Sequence, residues 1–177
     1  IFLHKDGTQS FAYNVEDEVV VGNSDPKLEG VVGMSFYYKG FSCNFYWRYS
    51  FGADAFNRTV YSKVENISKE SLKQNQDKRA LYDRWKEPGN GAKYKGISLT
   101  ENTPISSRFV QKNNYLTLES VRVAYEFSPE WMQKIHFSGM TVSAYMNDIC
   151  RFSTIEDERG IDYPFARSFS FALSINF

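Results

Sequence analysis

The chain has 177 residues and a formal net charge of zero; 17% of its residues are aromatic, yet its mean hydropathy is only -0.48. The neutral balance excludes the basic field of a nucleic-acid-binding surface, and the lack of any run of about eighteen apolar residues excludes a transmembrane helix. So many rings with so polar an average fit two architectures: a soluble domain that buries its rings, or a transmembrane β-barrel whose strands alternate lipid-facing apolar and lumen-facing polar residues.

The opening residues, Ile1 to Asp6, carry no secretory-leader pattern, so the sequence is expected to be one piece of a longer protein. Residues 1–29 are polar and read as a loop region. Gly30 to Phe51 then shows two period-two runs around the tight-turn dipeptide Lys39-Gly40, which predicts a β-hairpin. Before the turn Val32, Met34, Phe36 and Tyr38 fall on one face, opposed by Val31, Gly33, Ser35 and Tyr37. After it Phe41, Cys43, Phe45, Trp47, Tyr49 and Phe51 share a face, opposed by Ser42, Asn44, Tyr46, Arg48 and Ser50. Gly52 to Asn114 is rich in Asn, Lys, Gly and Ser and reads as a long loop. Val121 to Phe127 and Met140 to Asn147 alternate in the same way, as does the last strand, where Phe169, Phe171, Leu173, Ile175 and Phe177 oppose Ser168, Ser170, Ala172, Ser174 and Asn176.

The apolar faces carry no charge, but a β-sandwich also has an apolar inner face. The connections separate the two. Outer-membrane barrels have short periplasmic turns and long extracellular loops. If Phe177 ends on the periplasmic side, Cys150 to Pro164 is extracellular, Ser128 to His136 periplasmic, Gly52 to Asn114 extracellular and Lys39-Gly40 periplasmic, in strict alternation. The expected fold is all-β: an antiparallel transmembrane barrel segment of about five C-terminal strands over residues 30–177, preceded by an extracellular loop region over 1–29. Five strands cannot close a barrel, so the remaining strands are expected from elsewhere in the same polypeptide.

Gly22-Asn23-Ser24-Asp25-Pro26-Lys27 followed by Tyr38-Lys39-Gly40-Phe41 resembles the C-terminal barrel hairpin of the SusC/RagA family of TonB-dependent nutrient transporters. Asp83-Arg84-Trp85-Lys86-Glu87-Pro88-Gly89 resembles its extracellular-loop signature, and Ser107-Arg108-Phe109-Val110 before Tyr115-Leu116-Thr117-Leu118 its next strand entry. Asn147-Asp148-Ile149 and Tyr163-Pro164-Phe165-Ala166-Arg167-Ser168 complete a series running from Gly22 to Phe177. The resemblance implies a large barrel in the bacterial outer membrane, occluded by an upstream plug, energised through TonB and closed by a SusD-like surface lipoprotein. It also implies import of oligosaccharides or peptides. Outer-membrane lipid and the barrel-assembly machinery join the expected partners; nucleic acid does not, and no cofactor is expected. A soluble β-sandwich that binds glycans and a passive porin stay open as alternatives.

Tyr82 and Trp85 in the long loop are candidates for contact with substrate or lipoprotein, against a role in loop packing. Arg48, Arg122 and Glu126 fall on faces expected to line the lumen, where they would form ion pairs with a plug or neighbouring strands. The terminal aromatic Phe177 resembles the signal read by the barrel-assembly machinery. Trp131, beside Pro129, suits an interfacial aromatic girdle. His4 and His136 sit in no nucleophile motif, Asp17 and Glu18 read as surface charge, and Cys43 and Cys150 show no CxxC spacing, so neither catalysis nor a metal site is indicated. The run Glu156-Asp157-Glu158-Arg159 lacks the ligand spacing of a calcium loop and reads as a solvated loop.

Overall fold

In the computed structural model, residues 2–98, 100–156 and 167–177 are described. The elements are β1 (Phe2–Leu3), β2 (Gln9–Ser10), β3 (Leu28–Tyr38), β4 (Phe41–Phe56), β5 (Val110–Glu126), helix α1 (Pro129–Lys134), β6 (Gly139–Ser153) and β7 (Phe169–Asn176). β1 and β2 form a small hairpin, whereas β3 to β7 form one antiparallel sheet in chain order.

The β3–β4 hairpin turns as its sequence requires. Lys39 and Gly40 have φ of 47° and 82°, the left-handed pair of a two-residue turn whose twist matches that of the flanking strands. At Gly40 a Cβ would stand 2.4 Å from the Glu126 carbonyl oxygen, so glycine is required for space as well as for φ. From this turn the register runs Tyr38 to Phe41, Phe36 to Cys43, Met34 to Phe45 and Val32 to Trp47.

Cross-strand pairing carries that apolar face across the sheet. Phe45 meets Val121, Val121 meets Met146, and Met146 meets Phe169. The paired Cys43, Val123, Ala144 and Phe171 form the next row. Among the described residues no second layer covers this face: Phe36, Phe171 and Leu173 are 58%, 78% and 60% exposed. Leaving such side chains in water forfeits roughly 1.5–3 kcal/mol each, so the set Val32, Met34, Phe36, Val142, Phe169, Phe171 and Leu173 alone would forfeit about what a whole domain's stability amounts to. A bilayer removes that cost. No described helix is long and apolar enough to cross a membrane, which leaves open a crossing made by strands. The 16, 17 and 15 residues of β4, β5 and β6 exceed the roughly 9–11 that a tilted strand needs.

The strands are longer than the alternation suggests, because irregularities break its phase. β4 continues past Phe51 through a register shift at Gly52 (φ 87°) to Phe56, and β5 begins at Val110 instead of after Asn114. The loop between them is therefore 57–109. A shift at Glu119 in β5 faces another around Asp148 (φ 50°) in β6, beyond which β6 runs on to Ser153. The connection expected as a plain turn from Ser128 to His136 holds the six-residue α1, begun by Pro129 at its first turn.

Candidate functional site

The candidate site has two parts, the polar face of the sheet and the loop 57–109 at one end of it. On the polar face lie Arg48, Arg122 and Glu126, each at the register expected of it. Register also brings in two residues that alternation did not indicate. Glu119 is the extra residue of the β5 bulge, which turns it onto the polar face beside Ser120, where its carboxylate accepts from Arg48 Nε at 2.5 Å and Nη2 at 3.3 Å. Arg151 stacks its guanidinium 4.6 Å from the ring centre of Tyr115. Arg122 sits in a row of neutral hydrogen-bonding residues and Glu126 near the Lys39-Gly40 turn; neither is brought to an oppositely charged group among the described residues.

The loop has a core of its own. Asn57 N–H donates to the Phe109 carbonyl at 2.7 Å, closing its two ends. Inside this closure Val60, Val64, Tyr94 and Phe109 are buried, with Tyr61 packed against them and the rings of Phe56, Tyr61 and Phe109 in mutual contact. Residues Val60–Glu65 form a wide helical turn that carries Glu65 inward. Its buried carboxylate accepts from Thr103 Oγ1 at 2.9 Å and from Arg108 Nη1 and Nη2 at 3.2 and 3.3 Å. Arg84, also buried, donates to the carbonyls of Ala80, Val64 and, at 3.0 Å, Lys95. Burial pushes the Arg84 guanidinium below its ordinary pKa, with the Glu65 charge opposing. At the loop's edge the wholly buried Asp77 is paired with Arg79, which also donates to the Glu156 carbonyl.

The two loop motifs thus meet: Arg84 of the first and Arg108 of the second converge on the Val64–Glu65 turn. Tyr82 and Trp85 flank the left-handed Asp83 (φ 53°) on the outside, 65% and 46% exposed. Trp85 N–H donates to the Tyr94 carbonyl at 2.9 Å, and one edge of its indole lies over Gly96. The Gly22–Lys27 motif clasps the rim of β4. Asp54 N–H donates to the Asn23 carbonyl at 2.7 Å, Lys27 N–H donates to the Phe51 carbonyl, and Gly22 passes so close that a Cβ would stand 2.7 Å from that of Asp54.

The remaining sequence candidates are dispersed. His4 bonds Asp17 at 2.5 Å and ties the β1–β2 hairpin to the turn Val15–Asp17. His136 follows α1 with φ 62°. Trp131 is 67% exposed on α1, and Phe177 packs edge-on against Phe137 at the same end of the sheet. Cys43 and Cys150 are free thiols. No cluster of potential metal ligands occurs among the described residues. The calcium-like run beyond Glu156 and the Tyr163–Ala166 part of the last motif lie outside the described residues.

No family model matches the chain. Among curated proteins it is similar to TonB-dependent receptor P39 of Formosa agariphila, 22% identical over 155 residues that cover 84% of this chain and 15% of the relative. Among solved structures it resembles the RagAB peptide importer in its open-open state, with a TM-score of 0.71, 16% identity, and coverage of 98% of this chain and 20% of that one. The closed-closed state gives a TM-score of 0.68 at 15% identity, over 99% of this chain and 20% of that one. The chain spans about a fifth or less of the length of these proteins.

Proposed function

We propose that this chain, a SusC/RagA-like segment of a TonB-dependent transporter of the bacterial outer membrane, supplies the C-terminal strands and outer loops of an importer of oligosaccharides or peptides that works with a SusD-like surface lipoprotein. The observation that carries this reading is the uncovered apolar face. A glycan-binding sandwich would pack a second sheet there, whereas a barrel turns that face to lipid and its polar face to the lumen. Arg48, Arg122 and Glu126 then line the conduit. The loop 57–109 stands at the extracellular mouth and presents Tyr82 and Trp85 outward to the solute or to the lipoprotein. Residues 1–29 belong to a neighbouring extracellular loop, and 30–177 to the barrel wall. The energy-coupling contact with TonB and the plug belong to the rest of the polypeptide.

Membrane fractionation, detergent extraction and intact-mass measurement test this, with peptides from residues 30–51 as the tag. A species several times larger than 20.5 kDa in the outer membrane, co-purifying with a lipoprotein, is expected; a soluble 20.5 kDa monomer would sink the proposal. Replacing Tyr82 and Trp85 with alanine should weaken lipoprotein retention or solute uptake, and unchanged values for both would return the pair to loop packing. Deleting Phe177 should lower outer-membrane abundance if the assembly machinery reads it, and normal abundance would remove that role.

A further inference from the structure

Charge is divided unevenly between the parts of this molecule. The chain balances 21 basic against 21 acidic residues, yet the loop 57–109 holds eleven of the first and six of the second. Two of those six, Glu65 and Asp77, are buried and already held by Arg108 and Arg79. At the loop surface Arg58, Lys69, Lys73, Lys78, Lys86 and Lys93 are exposed, against the exposed carboxylates of Glu70, Asp83, Glu87 and Glu101; Lys63 and Lys95 are half-buried. Residues 1–29 lean the other way, with six acids to two bases. The field over the loop is therefore positive, and an anion approaching this end of the sheet is drawn to its 57–109 side.

The sheet beneath the loop carries a cation placed to receive such an anion. Arg151 lies in the polar-face row Val31, Arg48, Thr117 and Arg151, and its guanidinium stacks on Tyr115, two residues nearer the loop than Thr117. Arg48 in the same row is bonded in the opposite direction, to Glu119. No carboxylate among the described residues is paired with Arg151. Stacking on a ring covers one flat side of the guanidinium and leaves its N–H fork open to a carboxylate. The row next toward the loop places the hydroxyls of Tyr115 and Ser153 on the same face, with Glu29 two strands away from Tyr115 across Ser50.

We infer that the solute this segment admits bears carboxylates, and that it is gathered by the loop 57–109 and received by Arg151 on its Tyr115 platform. The inference deepens the importer reading above and rests on it. The two features act on different steps. Charges at a rim set how fast an anion arrives and how steeply salt slows it, whereas a charge bonded directly to the anion sets how long it stays. A neutral solute gains from neither. Uronic-acid oligosaccharides and glutamate-rich peptides present the same carboxylate chemistry, and the probes of the test separate them.

The test uses the full-length transporter in isolated outer-membrane vesicles, with vesicles lacking it as the baseline. Fluorescent oligogalacturonate, a glutamate-rich peptide and a neutral counterpart of each are mixed with the vesicles at about 10 mM and 0.15 M salt, between which the screening length falls from about 30 to 8 Å. One acidic probe should bind more tightly than its neutral counterpart and associate about tenfold more slowly at the higher salt. The triple variant Lys69→Glu, Lys73→Glu, Lys86→Glu should slow its association by about tenfold at low salt and leave dissociation unchanged. Arg151→Gln should leave association unchanged and speed dissociation by about tenfold, the loss of one charge-assisted contact. Heat-modifiable gel mobility reports whether each variant barrel is folded, and the wild-type comparison of probes and salts stands without the variants. Failure of both acidic probes, or acidic binding indifferent to salt, overturns the inference and leaves the importer standing. Acidic binding that a folded Arg151→Gln barrel leaves unaltered overturns the place given to Arg151. A protein absent from the outer membrane removes the importer reading and this inference with it.

Discussion

The sheet β3–β7 and the loop 57–109 solve opposite problems. The sheet leaves its large apolar side chains uncovered and carries the Arg48–Glu119 ion pair on its open polar side, with Asp54 and Lys112 paired at its loop end. The loop buries a small apolar core and places charges inside it, with Glu65 and Arg84 both almost wholly enclosed. The difference follows from solvent. A strand in lipid needs no protein over its apolar face, whereas a loop of some fifty residues standing in water must build a core or remain unordered. Its core is too small to be closed by hydrocarbon alone, so buried arginines bonded to carbonyls complete it.

The sharpest way to break this contrast is Phe109→Ala. Phe109 is 1% exposed at the junction of the loop core and β5, and truncating such a ring costs about 3–5 kcal/mol. Limited proteolysis should then cut within 57–109 while the barrel keeps its heat-modifiable mobility; loss of both together would mean that loop and sheet fold as one unit.

A comparable probe on the sheet is Leu173→Arg. In water an exposed leucine tolerates this change within about 0.5 kcal/mol, but at the bilayer midplane arginine costs about 2–4 kcal/mol. Urea unfolding in lipid vesicles should show the larger loss, and the smaller one would argue that water covers this face. Replacing Arg84 with methionine should destabilise the loop by about 1–3 kcal/mol through carbonyls left unpaired, read as faster amide exchange in the Val60–Glu65 turn with β3–β7 unchanged.

The smallest effect is expected at the His4–Asp17 contact. The hydrogen bond to Asp17 raises the His4 pKa, and the same bond lowers that of Asp17. The histidine contribution is complete below its ordinary value of about 6.5 and is lost as pH rises through the raised one. The aspartate contribution is present above its ordinary value of about 4 and is lost as pH falls through the lowered one. Protection of the Lys5 N–H, which donates to Asp17 at 3.2 Å, measured as its exchange rate against the intrinsic rate at each pH, should therefore be greatest between about pH 4 and 6.5 and fall above it. Protection that does not change with pH would show that the clasp contributes nothing.

What could be read from the amino-acid order divides along the same line. Strand faces were visible because period-two alternation survives wherever a strand is regular: every residue of the Val32–Tyr38 and Phe41–Tyr49 runs lies on the face assigned to it. The alternation failed at Gly52, Glu119 and Asp148, where an added residue shifts the phase, so β4 and β6 looked shorter than they are and β5 seemed to start late. The loop core was invisible because Val60, Val64, Tyr94 and Phe109 are scattered along the sequence without a period. Glu65 looks like any surface carboxylate until its turn carries it inward. The motifs noticed there did mark structural pivots, though alternation could not say that Arg84 and Arg108 would meet at one turn.

The closure of the loop has a consequence for variation. Phe56 and Val110, which bound it, are register partners on adjacent strands, and Asn57 and Phe109 are bonded immediately beyond them. A segment whose two ends leave the scaffold side by side is a cassette: its length and contents can change without moving either strand. The sheet and the loop can then diversify at different rates, and a transplanted 57–109 segment should carry its own surface chemistry onto a foreign sheet.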